Sequence, residues 1–469
     1  MQPPTLPIRP RRLAATSVTV TAAVGAALLG APAQAATYGT PTIVLSTAYL
    51  SGAVGSTGDP KISVTVSQSG AKNSALTVTA SASSDSTVAA TGDVTITGTG
   101  STRTVAVTAE HQGYTDLTLK VTGLGGAYAT KTLHYAASAT VQNAPGTRYL
   151  TGASDASAAV DVGGGYVVVG DDENNTLRLY DRNSSGAPVR TWDFSAELGV
   201  SREIDIEAAA RVGDTIYWTG SMGNSKSGSL RPDRSTLFTT KVTGSGATTQ
   251  LTLGGFYQGL RDDLIAWDEA NDDRFGFAAG AAPGQVPKQI DGFNVEGMEF
   301  APDSTGTAYI AFRAPLVPPQ TDGKALLVPV TNLDTLVAGS PDTAVHATFG
   351  DPITMDLGGL SIRDIRKNAL NQYVIVAGSW AADDNSDSYA LYSWDGVAAD
   401  APTLLRSLPT TDPGAWESVV DIPDLTVPGA QVQLITDAGS ADLYGDGTEA
   451  KDLAHDEWKK SRTTWFTVS

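Results

Sequence analysis

Four carboxylates, Glu207, Glu296, Asp364 and Glu417, each stand at the entry of a short apolar strand, and Asp205 and Asp262 lie close to comparable places. Residues in equivalent positions of a circular repeat point toward one axis however far apart they are in sequence. A ring of carboxylates is therefore expected. Held together without positive partners, such groups raise one another's pKa, so the ring needs a cation, an arginine or shared protons. An all-oxygen donor set suits calcium, which takes about six to eight oxygen ligands. Glu207, Glu296 and Asp364 are the expected metal ligands.

Arginines accompany the same positions. Arg202 precedes Glu203 and Asp205, Arg261 precedes Asp262, Arg313 follows the strand that begins at Glu296, and Arg363 precedes Asp364. They can neutralise the acids as buried ion pairs, or join them in gripping an anionic or carbonyl-bearing ligand bidentately. The candidate ligand set is Asp205, Glu207, Glu296, Arg313, Arg363, Asp364 and Glu417. Two further oxygen-rich loops, Asp171 to Asn175 and Asp383 to Asp387, lack the spacing of an EF-hand and read as outer hairpin turns.

The elements that must position these residues read as strands. An acid, a short apolar strand, a turn and a second apolar strand recur six times, beginning at Asp155, Glu207, Asp262-Asp263, Glu296, Asp364 and Glu417. The intervals run at about 50 residues, with one of about 33, which fits blades carrying insertions. Third strands follow, such as Leu177 to Tyr180 and Tyr389 to Trp394, giving the hairpin succession of an antiparallel blade. Residues 147–469 are thus expected to form a six- or seven-bladed β-propeller. Helical periodicity is scarce, and the best candidate is Lys451 to Lys459.

Residues 36–140 have a different texture, rich in Thr, Val, Ser, Ala and Gly. Alternation in Lys61 to Val66, Ala75 to Ala80 and Thr104 to Thr108 marks half-buried strands. Their spacing predicts a β-sandwich of about seven strands. This stretch resembles the immunoglobulin-like modules that actinobacterial secreted proteins carry ahead of other domains. The small-residue region Ala136 to Gly146 reads as a linker. The overall expectation is all-β.

Residues 1–35 combine Arg9, Arg11 and Arg12, an apolar run from Leu13 to Leu29, and Ala33-Gln34-Ala35. That is the layout of a signal peptide cleaved before Ala36, so a secreted, extracellular or cell-wall-associated protein is expected, with no integral membrane segment after processing. The chain carries 31 basic and 50 acidic residues, a net −19, and loss of an arginine-bearing leader makes the balance more negative. Such a surface repels nucleic acid. With no cysteine there is no disulfide, thiolate site or cysteine nucleophile. His111, His134, His346 and His455 show no zinc spacing, and neither a nucleophile elbow nor a Walker loop is present where strand and helix would require it.

Residues 150–469 resemble the bacterial family catalogued as domain of unknown function 3616. The resemblance rests on Asp205-Ile206-Glu207-Ala208 with Tyr217 to Ser221, and on Asn294 to Met298 with Ala311 to Pro315. Gly358 to Ile365 with Ile375 to Ser379, and Lys451-Asp452-Leu453 with Arg462 to Phe466, complete it. It implies a propeller and no established activity. Members often carry a His after the Gly-Ser that ends the second strand. Here Met222 to Lys226 follow Ser221, so any such role is absent or has passed to Asn224 or Lys226.

Three functions compete on these readings. One is binding of a small-molecule or cell-envelope ligand, an ion or a partner at the axial mouth. Another is calcium-dependent hydrolysis of a phosphoester or lactone, an analogy from fold alone. The third is non-catalytic surface display or adhesion.

Overall fold

The computed structural model describes residues 37–139, 146–338, 345–381, 388–411 and 414–468. The leader, the Asp383 to Asp387 loop and residues 140–145 of the expected linker lie outside them.

The N-terminal part is two four-stranded sheets face to face. One contains Thr42–Leu45, Ile62–Ser67, Thr102–Val107 and Val94–Thr97, in that order; the other contains Tyr49–Ala53, Tyr128–Ser138, Gly113–Thr122 and Thr77–Ser83. Strict alternation produces this arrangement: along Ile62–Ser67 every second residue is buried. Val64, Val66 and Val105 from one sheet meet Leu117, Leu119, Val121 and Leu133 from the other in one apolar core. There are eight strands rather than about seven. Ala136 to Ser138 belong to the last of them and are buried, so the linker does not begin there.

Five further four-stranded antiparallel sheets follow. Their first strands are Ala156–Gly163, Ile206–Val212, Asn294–Phe300, Ser361–Lys367 and Ala415–Val419. Each first strand packs beside the next, and the fifth packs beside the first. The result is a closed, propeller-like ring with the first strands innermost. Strand pairing also closes the ring. The fifth sheet takes its outermost strand, Arg148–Thr151, from the beginning of the ring, pairing it with Lys460–Thr467 at the end. One sheet is thus made from both ends of the domain.

The described residues give five such sheets, not the six or seven expected. The unit assigned to Asp262-Asp263 is an insertion between the second and third sheets, containing the helices Leu260–Glu269 and Phe277–Gly280. Leu260 and Leu264 are four apart and both buried, which is helical spacing. Asp268 then accepts the backbone N–H of Phe275 and Phe277, fixing the turn into the second helix. The short interval before Glu296 marks this insertion. The helix expected over Lys451 to Lys459 is absent too. That segment forms only the single turns Ala450–Asp452 and Asp456–Trp458 within a long loop.

Candidate functional site

The five innermost strands share a defect at one place. In each, register slips by one residue against the second strand, at Ala156/Ala158, Ile206/Ala208, Val295/Gly297, Ile362/Asp364 and Trp416/Ser418. The extra residues are Ser157, Glu207, Glu296, Arg363 and Glu417. A β-bulge re-aims its side chain, and five bulges at matched positions aim theirs around one mouth. Three expected acids occupy this ring. Its fourth charged member is Arg363, where the sequence pattern suggested Asp364.

That one-residue displacement reverses the local chemistry. Arg363 places Nε 3.1 Å from Glu296 Oε2 and 3.1 Å from Glu417 Oε2, and its Nη2 contacts Glu417 Oε1. Arg313 donates Nη1 to Glu296 Oε1 at 2.8 Å, and its Nε donates to the Trp380 carbonyl. Both guanidinium groups are buried. Asn294 Nδ2 adds a 2.8 Å bond to Glu296. Asp364 turns instead to the fifth sheet, accepting from Ser418 Oγ at 2.8 Å and from the Val419 N–H at 2.9 Å. Glu296 thus meets arginines and an amide, and Asp364 a hydroxyl and a backbone donor, whereas Glu207 has none of these among the described residues.

Arg366, which the sequence reading did not single out, crosses the channel. It donates to the carbonyls of Ala159 at 2.8 Å and Val419 at 3.3 Å, and also to that of Ala209, so it ties the first, second and fifth inner strands together. The visible signal is the pair Arg363 and Arg366 on one inner strand, which the bulge brings to the same side.

The other side of the mouth opens into a cavity of about 1100 Å³. Asp155, Asp171, Asp172, Glu173, Asp205 and Glu207 line it, together with Lys226, Arg231, Arg234 and Lys451. One oxygen from each of Asp172, Asp205 and Glu207 lies within 4.8 Å of the others, and the same holds for Asp155, Asp172 and Glu173. Asp172 is common to both groups. The loop Asp171 to Asn175 is therefore part of the mouth and not an outer turn. Asp171 Oδ1 accepts the N–H groups of Glu173 and Asn174, which folds the loop and leaves Asp172 facing the cavity.

Asp205 sits at φ 60°, a left-handed conformation that Asp tolerates better than most residues, and pairs with Arg234 Nη1 at 2.7 Å. Glu207 is 6% exposed, and among the described residues its carboxylate makes no hydrogen bond or ion pair. Burial, with Glu296 and Asp205 nearby, holds it well above the usual carboxylate range against the opposing charge of Lys288. Burial and the charges of Asp437 and Glu207 do the same to Asp172, whose Oδ1 is buried without a hydrogen-bond partner. Asp155 is pushed up to about 8 by burial and by Asp437 and Asp171. It fits because residue 439 is glycine: a Cβ there would stand 1.4 Å from Asp155 Oδ1.

Of the two alternatives left by the missing histidine, Asn224 is structural. Its Nδ2 donates to the carbonyls of Ala281, Ala282 and Gln285, anchoring the helical insertion. Lys226 is exposed at the cavity. Asp262, also expected near the axis, is on the outside of its helix and, among the described residues, pairs only with Arg261, at 3.5 Å.

No family model matches the chain, and no curated protein does. Among solved structures, a protein of unknown function from Bacteroides thetaiotaomicron VPI-5482 is 11% identical, over 91% of this chain and 98% of its own, with a TM-score of 0.28. An α-L-arabinanase from Penicillium chrysogenum, complexed with arabinobiose, is 10% identical over 70% of this chain and 99% of its own, at 0.32. The WD40 domain of Neurospora crassa Pan2 is 10% identical over 60% and 75%, at 0.27.

Proposed function

We propose that the chain is an exported protein whose ring mouth binds a divalent cation, calcium by the nature of its donors, together with a small polar ligand. The carrying observation is Glu207, buried beside Asp172 and Asp205 with no cationic partner in contact. A buried carboxylate left unpaired costs several kcal/mol unless a proton or a cation arrives. All three groups offer oxygen, the donor that calcium prefers. The cavity is larger than an ion needs and large enough to admit a small molecule.

Calorimetric titration of the mature protein with calcium tests this. The expected result is saturable binding that Glu207→Gln weakens at least ten-fold. Heatless titrations, with melting curves unchanged by calcium or by chelator, would remove the reading.

A further inference from the structure

The two carboxylate groups that share Asp172 are not equivalent. The group of Asp172, Asp205 and Glu207 includes a buried acid without a partner. The group of Asp155, Asp172 and Glu173 has an ammonium on it: Lys451 Nζ stands 2.8 Å from Glu173 Oε1 and 3.8 Å from Glu449 Oε2, and the charge of Asp155 acts on it as well. Lys451 lies about 280 residues further along the chain than Glu173, so the long loop of the fifth sheet, residues 438–459, must deliver it.

That loop has two faces. One carries Glu449, Lys451, Asp452 and Asp456 to the cavity. The opposite face is packed on the N-terminal sandwich. Leu443, Tyr444, Ala450 and Leu453 share an apolar cluster with Ala136. Tyr49 stacks on His455 at 3.7 Å between ring centroids and meets the edge of Trp458. Tyr114 donates to Asp446 at 2.9 Å, Gln112 donates to the Leu443 carbonyl, and Thr47 donates to Glu457 at 2.7 Å. Just past the loop, buried Lys460 donates to the Gly52 carbonyl. A loop of this length on its own is mobile; here a second domain fixes it.

We propose that Lys451 is a built-in cation for the second carboxylate group, as Arg234 is for Asp205 in the first, set there by a loop that the sandwich braces, and that it limits the site to one exogenous cation. The inference rests on the cation reading of the mouth only for the first position. A lysine ammonium is a compact point charge on a flexible stem with three donors, so it can stand among carboxylates where a metal ion would. The sandwich thereby gains a role in the site without contributing a residue to it.

The test counts calcium ions bound to the mature protein by calorimetry and by equilibrium dialysis. One ion is expected for the wild type and two for Lys451→Met, with the added ion lost again in Lys451→Met combined with Glu173→Gln. An unchanged count in Lys451→Met overturns the proposal. A wild type that binds none while Lys451→Met binds one defeats the reading of the first position and leaves Lys451 in its assigned role. The brace is tested separately with Tyr49→Ala, which removes the stack on His455 while leaving every cavity residue in place. Faster hydrogen exchange across residues 438–459 is expected, with the ring strands unchanged. Exchange equal to wild type in that loop would overturn the brace.

Discussion

On one side of the mouth, Glu296 and Glu417 are buried against Arg313 and Arg363; on the other, Glu207 is also buried but, among the described residues, makes no ion pair, and the more distant charge of Lys288 acts on it. The three acids occupy the same bulged position of their strands, so backbone geometry does not distinguish them. What differs is the residue at that position on the neighbouring strand. Arg363 stands between Glu296 and Glu417 and can reach both, whereas the ring place before Glu207 belongs to Ser157, which brings no charge. A repeat thus fixes where a side chain points, and its neighbour around the ring decides whether it is structure or site.

The largest expected effect comes from breaking the closed side. Arg363→Ala leaves two buried carboxylates facing each other, and loss of one partner from such a pair costs about 3–5 kcal/mol. Urea denaturation should show that loss with or without calcium. A loss under about 1 kcal/mol would mean that solvent reaches the ring and that the two sides are alike.

Calcium should act on the open side alone. At about 100 times its Kd, a ligand specific to the folded state adds about 2.7 kcal/mol. The melting temperature of the wild type should rise accordingly, and that of Glu207→Gln should not. In the absence of calcium the same substitution should be neutral or stabilising, the opposite sign to Arg363→Ala, because it removes the cost of burying or protonating an acid that makes no ion pair. A destabilised Glu207→Gln without calcium would show that Glu207 is already neutralised.

The open side should also make stability depend on pH. Asp155 is raised from 3.8 to about 8 and Asp171 to about 7, burial being the main cause in both. The folded state therefore favours the protonated forms. Their contribution is fully present below about pH 4 and is lost as pH climbs through the folded values, since the unfolded chain releases those protons first. Calcium-free protein should lose stability from about pH 4 toward pH 8, and Asp155→Asn should flatten the decline. A profile that rises over that interval would reverse the assignment.

Much of this arrangement was legible in the sequence, and the failures have physical causes. Five of the six acid-led units are inner strands, because an acid followed by a short apolar run describes a strand leaving a wet mouth for a dry core. The bulge is not legible: it shifts register by one residue without changing composition, so Asp364 took the place that belongs to Arg363. Asp172 was missed because a run of Asp and Asn satisfies a turn locally. Its acidic neighbours in the mouth, Asp437 and Glu207, come from other sheets. Lys451 was hidden more deeply, since its position depends on a loop held by a separate domain.

Asp262 supplies the smallest effect and the sharpest control. Sequence spacing placed it among the ring acids, whereas the structure puts it in the first turn of the helix Leu260–Glu269, its side chain 84% exposed. An exposed carboxylate there interacts weakly with the positive end of the helix and with Arg261, and each such contribution is small and screened by salt. Asp262→Asn should therefore shift stability by no more than about 0.5 kcal/mol and leave the calcium response intact. The neighbouring Asp263 is the useful contrast. It accepts from Tyr257 Oη and from the Ala347 N–H, and it contacts His346 Nδ1 at 2.8 Å, so Asp263→Asn should cost more than Asp262→Asn while also sparing calcium binding. Loss of the calcium response in Asp262→Asn would return this residue to the mouth and undo the division between insertion and ring on which the five-sheet count depends.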